Sequence, residues 1–276
     1  MANVVATNVF SLSTQRHLAK AESGLATAME RLSSGLRVNS AKDDSAGLAI
    51  AERMNAQVKG MNVAVRNAAD GISLAQTAEG ALQQVTDTLQ RMRELSVQSA
   101  NASNTASDRA NLDAEFQEMG AEITRILSAT EFNGLKILAG NAGAQVFQVG
   151  ANNAADNQIT VTTTNMAADA DITGVTGTDI TTQANAQGAI DLIDTAIDTV
   201  TTERSKYGAA QNRFEATINN LRNASENQAA ARSRIMDADF AAETANLSKY
   251  QVLQQAGVAM LSQANQAPQA VLGLLR

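Results

Sequence analysis

Proline ends helices, because its ring locks φ, removes an N–H and collides with the preceding turn. This chain runs 267 residues before its single proline, Pro268. Very long helices are therefore open to it, and the spacing of its apolar residues predicts that it uses them. Leu18, Ala21, Leu25, Ala28 and Leu32 alternate by three and four, the signature of a seam on one helix face. Gly35 ends that run, and Asn39 to Asp44 reads as a connection. A longer run follows through Met54, Val58, Met61, Val65, Ala68, Ile72 and Ala75. Its register then shifts after Leu82, with Val85, Leu89 and Met92 continuing, as a three-residue skip in a coiled coil would. Asn101 to Ser107 is a polar turn, and Leu112, Phe116, Met119, Ile123 and Ile126 form a third run pointing back along the second.

At Phe132-Asn133-Gly134 the helical period breaks on a turn dipeptide. The period then moves towards two, with Gln145 to Val149 strand-like and Ile159 and Val161 alternating with threonines, so residues 135–163 are expected to hold a small β-hairpin. Residues 164–187 are Thr, Ala, Asp and Gly with few apolar anchors, and read as a short surface stub with weak structural demands. Helix returns at Ile190, Ile193, Ile197, Val200, Arg204, Tyr207, Gln211, Phe214, Ile218 and Leu221, with Arg204 and Gln211 as polar slots that could set register. A last seam, Tyr250, Leu253, Gly257, Met260 and Ala264, closes before Pro268.

The fold expected is mainly α: a long antiparallel helical hairpin or coiled-coil bundle, a small β-hairpin, and paired N- and C-terminal helices. Aromatic residues are only 3% of the chain and Trp is absent, so burial must come from Ala, Leu, Ile, Val and Met in narrow helix–helix seams. The two terminal runs, roughly 40 Å long at 1.5 Å per residue, lack the apolar surface to stand alone.

Chemistry finds little purchase. With no Cys and one His, His17, the chain offers no thiol catalysis, disulfide or Cys/His zinc site. His17 has no evident triad partner. The acidic groups Asp43, Asp44, Asp237, Asp239 and Glu243 could in principle bind a hard cation, but capping and local ion pairs are the plainer account. The nine methionines sit at seam spacing and are core. No Walker, dinucleotide or nucleophile-elbow motif occurs. A net charge of −7 without a basic run argues against nucleic acid. The first dozen residues carry no Lys or Arg and do not resemble a signal peptide, and no stretch is apolar enough to insert in a membrane. No enzyme activity and no cofactor are expected. The threonines of the middle segment, Thr162, Thr163, Thr164, Thr176 and Thr178, are either solvated hydroxyls or acceptors for O-glycosylation.

Seams alone leave a cytoplasmic scaffold, a signalling stalk and a filament subunit open. Particular stretches go further: Glu30–Asp44 (ERLSSGLRVNSAKDD), Asn67–Leu82 (NAADGISLAQTAEGAL), Leu89–Gln98 (LQRMRELSVQ), Ala231–Asp239 (ARSRIMDAD), Leu253–Ala256 (LQQA) and Gln263–Leu272 (QANQAPQAVL). These resemble the signatures of bacterial flagellins, in order, over roughly residues 1–140 and 188–276. A hook–filament junction protein would share the terminal helices but match these stretches loosely.

The resemblance implies a structural subunit of the extracellular flagellar filament of swimming bacteria, exported unfolded by the flagellar type III route. It implies that 1–44 and 236–276 form inner-tube helices, that 45–235 form a rod domain, and that 164–187 stand in place of larger outer domains. Its implied partners are other copies of the chain in a helical homopolymer, the flagellar export chaperone, the filament cap and hook–filament junction proteins. Arg91, Leu95 and Glu115 fall where an innate immune receptor of animal hosts, of the Toll-like class, recognises flagellins and where subunits meet. Leu253, Met260, Leu261, Val271, Leu272, Leu274 and Leu275 fall in the terminal segment used for assembly and chaperone binding.

Overall fold

The computed structural model describes residues 7–141 and 143–273, with side chains to Gln266. Among the described residues six α-helices carry the chain: α1 (Val9–Ser34), α2 (Ser45–Ser99), α3 (Ala106–Ala129), α4 (Ala170–Thr176), α5 (Gln183–Met236) and α6 (Phe240–Gly273). Four short strands, β1 (Glu131–Phe132), β2 (Leu135–Lys136), β3 (Ala144–Gln148) and β4 (Gln158–Thr162), form two antiparallel pairs, β1 with β2 and β3 with β4. Two compact units result, one from 1–56 with 227–276, the other from 57–226.

The unit of residues 57–226 holds the main core. Along α2 one buried stripe runs Met61, Ala64, Ala68, Gly71, Ala75, Ala78, Leu82, Val85, Leu89, Met92, Ser96 and Ser99, alternating by three and four, and Leu74, Thr86 and Leu95 are buried beside it. The register skip expected after Leu82 is therefore absent. Ala64 and Gly71 occupy the seam, and the larger Val65 and Ile72 beside them are half-buried on its flank. On α5 the buried set is Ala186, Ala189, Ile193, Ala196, Val200, Glu203, Tyr207, Ala210 and Phe214. Ile193, Val200, Tyr207 and Phe214 are where the sequence puts them; the alternate positions lie one residue earlier than Ile190, Ile197, Arg204 and Gln211, which flank the seam half-buried. Small residues let the helices close: a Cβ added at Gly71 would stand 2.6 Å from the Phe214 ring. Phe147 of β3 meets Phe214 edge-on, with ring centroids 5.4 Å apart, within the range that favours aromatic pairs. The flanking polar slots converge, Arg204 lying 3.6 Å from Glu79 and the Gln211 amide donating to the same carboxylate at 3.2 Å.

Asn133 and Gly134 both have positive φ, 51° and 78°. A two-residue turn of this hand needs that and favours Asn-Gly, which is why β1 and β2 join there. The expected hairpin within 135–163 is β3–β4, paired from Ala144↔Thr162 to Gln148↔Gln158. The segment after it is not the loose excursion its composition suggests. Met166, Ile172, Val175 and Ile180 are buried in the core cluster, and α4 is capped by the Asp169 carboxylate accepting from Asp171 N. A few isolated apolar residues at the right spacing are enough to anchor it.

In the other unit α1 pairs with α6. Gly35, at φ 71°, ends α1 in the left-handed conformation and its N–H donates to Arg31 O, as glycine C-caps do. The chain then bridges to the end of α5: Leu36 pairs with Asp237, Arg37 N donates to Met236 O at 2.6 Å, and Ala238 N donates to Gly35 O at 3.0 Å. Asp43 accepts from Asn39 N, Ser40 N and Ser40 Oγ, Asp44 from Gly47 N, and Asp239 from Ala241 N and Ala242 N. These carboxylates are turn and cap acceptors.

Candidate assembly surface

The hairpin of α1 and α6 is where apolar surface stays uncovered. Two helices side by side can each bury one narrow stripe and no more. On α1 the stripe holds Ala21 and Ala28, fully buried, with Leu18, Leu25 and Leu32 half-buried beside them, as the sequence spacing predicts. On α6 it holds Glu243, Leu247, Tyr250, Gln254, Gly257, Leu261 and Ala264. Leu253 and Met260, expected in the seam, point out of it instead, and Met260 is 61% exposed. Close approach again rests on glycine. A Cβ at Gly24 would lie 2.5 Å from the Tyr250 ring, and one at Gly257 would lie 3.2 Å from Leu18 Cδ1. Arg31 faces Glu243 at 3.9 Å across the pair.

Pro268 does not end α6, which runs through it to Gly273. A proline in a helix leaves the carbonyl four residues earlier without its N–H. That carbonyl is Ala264 O, and it accepts instead from Asn8 Nδ2 at 2.7 Å. Asn8 also caps α1, its side-chain oxygen accepting from Ser11 N. One side chain thus closes the start of α1 and mends the break in α6.

The outer faces of the hairpin carry Val9, Phe10, Leu12, Met29, Phe240, Val252, Leu253, Val258 and Met260, all exposed. A groove of about 590 Å³ opens between the helices, floored by Leu18, Ala21 and Gly257 and rimmed by His17, Lys20 and Lys249. Val271, Leu272, Leu274 and Leu275 lie outside the described side chains.

The unit of residues 57–226 presents a polar candidate. Arg91 pairs with Glu115 at 3.0 Å and with Glu94 at 2.9 Å, and these carboxylates raise the guanidinium pKa. The pair opens on a concavity of about 470 Å³ that also includes Asp87, Glu118 and Glu122. Leu95 does not join it. Its side chain is 1% exposed, inside the core, so Leu95 presents no surface to a partner. Among the threonines, Thr162 is exposed and Thr164, Thr176 and Thr178 are half-buried. Thr163 is buried at 3% and exchanges two hydrogen bonds with the Gly143 backbone. Its hydroxyl is engaged in the fold, which removes it as a glycosylation acceptor.

Residues 5–143 match the bacterial flagellin N-terminal helical region and residues 190–275 the bacterial flagellin C-terminal helical region. A flagellin of Halalkalibacterium halodurans is 52% identical over 249 residues, covering 90% of this chain and 91% of that one.

The chain belongs to the bacterial flagellins.

Flagellin D of Vibrio cholerae is 37% identical over an alignment that spans both chains in full. The crystal structure of Bacillus cereus flagellin is similar with a TM-score of 0.50, at 31% identity, over 56% of this flagellin and 88% of that chain. Flagellins are structural, non-enzymatic subunits of the extracellular flagellar filament, and this flagellin is such a subunit. Membership sets aside the cytoplasmic scaffold and the junction protein as readings of its seams. Among the described residues no helix is long and apolar enough to cross a membrane.

Proposed function

We propose that this filament subunit assembles through its terminal hairpin. Residues 1–44 and 236–276 line the inner tube of the filament, residues 45–235 form the rod layer around it, and 164–187 take the place of outer domains. The observation that carries this is the contrast in apolar exposure. The α1/α6 pair leaves Phe10 and Phe240 about as open as Met260 (64% and 58%), whereas the core of the other unit is closed. Exposed apolar area of this extent marks an association surface. A non-closing contact of that surface with a different one on the next copy generates a helical polymer. Deleting residues 1–20 or 257–276 abolishes elongation from filament seeds, followed by light scattering and electron microscopy. Normal growth of either truncated chain overturns the assignment.

Export through a narrow channel fits the same feature. Without cysteines the chain has no covalent crosslink to undo, and a hairpin with one stripe of burial is easily opened. We assign its unfolded passage to the flagellar type III route, with the export chaperone holding the segment from Leu253 to Leu275 and the cap and junction proteins meeting the filament at its ends. The Arg91–Glu115 pair, exposed on α2 and α3, is the contact offered to neighbouring subunits and to the innate immune receptor of hosts, with Leu95 positioning that stretch of α2 from beneath.

A further inference from the structure

The exposed Phe240 and the α1/α6 groove fit each other but cannot meet within one chain. Phe240 stands at the start of α6, directly after Asp237 and Asp239, both exposed. From Asp237 to Glu243 there is no Lys or Arg, and Asp237 and Asp239 are the exposed carboxylates, Glu243 being buried against Arg31. The groove has the opposite character: an apolar floor at Leu18 and Gly257, a rim of His17, Lys20 and Lys249, and no acidic residue among those lining it. Lys249 is held over the Tyr250 ring, 6.0 Å from its centroid. An aromatic knob with acidic neighbours is the complement of an apolar slot with basic ones. Yet Phe240 and Leu253, which also lines the groove, lie 13 positions apart on the same continuous helix, roughly 20 Å at 1.5 Å per residue. A rigid helix cannot fold its own start into its own middle.

We propose that Phe240 of one copy seats in the α1/α6 groove of a second copy, with Asp237 and Asp239 facing Lys249 and Lys20 on the rim. This deepens the filament reading and rests on it. Because knob and groove are different surfaces, the contact is heterologous and leaves a free knob at one end and a free groove at the other. The separation along α6 sets the stagger between successive hairpins at roughly 20 Å. Each added copy presents a new groove, so growth continues where a closed dimer would stop.

The test uses the full chain added to filament seeds. Lys249→Glu places a negative charge on the rim and slows elongation roughly tenfold. Lys249→Glu with Asp237→Lys in the same chain restores opposite charges across the contact and recovers most of the wild-type rate. Elongation of Lys249→Glu at the wild-type rate, or a double variant no faster than the single one, overturns the proposal. A second variant guards against a folding defect. The chain has no cysteine, so Phe240→Cys with Leu253→Cys introduces the only two. They are too far apart in one chain to bridge, since a disulfide needs Cα atoms within about 7 Å. Oxidised filaments should run as a covalent ladder on a non-reducing gel; filaments that yield monomer alone overturn the docking while leaving the filament reading standing. Failure of the wild-type chain to add to seeds at all would instead strike the filament reading itself.

Discussion

α5 and α6 are both long, alanine-rich helices, yet they live in opposite surroundings. α5 buries nine residues in strict alternation, from Ala186 to Phe214. Among the described side chains of α6, Glu243 alone is buried. The difference lies in the number of neighbours. α5 is flanked in its unit by α2 and the β3–β4 hairpin, so both sides of its apolar stripe are covered. α6 has α1, and the rest of its apolar surface faces outward. The same helical chemistry therefore makes a self-sufficient core in one unit and an unfinished one in the other, and the unfinished one is what a polymer can complete.

A matched pair of aromatic deletions puts this to the sharpest test. Phe214→Ala removes a fully buried ring that touches Gly71 and Phe147, and is expected to destabilise the monomer by about 3–5 kcal/mol. Phe240→Ala removes a ring already in solvent, and should change monomer stability by less than about 0.5 kcal/mol while impairing seeded growth. Urea unfolding followed by circular dichroism reads both. Comparable losses from the two would mean the hairpin has a core after all. Next in size come two glycines with the same clash. Gly71→Ala drives a methyl into the enclosed Phe214 ring and should cost about 1–3 kcal/mol. Gly24→Ala meets Tyr250 at 2.5 Å, but that ring is half-buried and can swing outward. The helix propensity of alanine, about 1 kcal/mol over glycine, should offset the shift, leaving Gly24→Ala near neutral by the same titration.

The sequence made most of the architecture legible, and its errors share one cause. Helix ends at Gly35 and near Asn101, the Asn133-Gly134 turn and the β3–β4 hairpin all follow from local chemistry that a sequence displays. Seam position is a cooperative property, and here it is carried by small residues. Counting large apolar side chains gave Val65 and Ile72 the places of Ala64 and Gly71, and Ile190 and Ile197 those of Ala189 and Ala196. The same one-residue displacement put Leu253 and Met260 inside a seam they actually leave open. In a chain poor in aromatics, close backbone approach chooses the seam, and bulk marks its flanks. Pro268 misled differently: the missing hydrogen bond is replaced by Asn8, 256 residues away by sequence separation to Ala264, and no local pattern announces that. Of the surface candidates, Arg91 and Glu115 came from the family resemblance and lie exposed on α2 and α3, whereas the burial of Leu95 and Thr163 depends on neighbours from other elements.

The smallest effect separates the units by acid. Thr105 and Asp108 cap α3 reciprocally: the Thr105 hydroxyl accepts from Asp108 N, and the Asp108 carboxylate accepts from Thr105 N and Oγ1. Those hydrogen bonds hold the Asp108 pKa below its ordinary 3.8. A carboxyl whose pKa is lowered by folding stabilises the fold above its unfolded pKa, and that support is lost as pH falls through the folded value. Glu122 beside Arg125, Asp194 beside Arg93 and Asp179 beside Thr181 are lowered in the same sense. All four belong to the unit of residues 57–226. Among the described residues the terminal unit has one such group, Asp43, held down by the Ser40 and Asn39 amides. Thr105→Ala should therefore lower Tm slightly at pH 7, and its gap to wild type should narrow below about pH 4 as Asp108 gains its proton in both chains. Asp43→Asn, in the hairpin unit, should leave the acid limb of the core's unfolding curve where it is. A gap for Thr105→Ala that stays constant from pH 7 to 3 would show that the box stabilises α3 without its carboxylate charge.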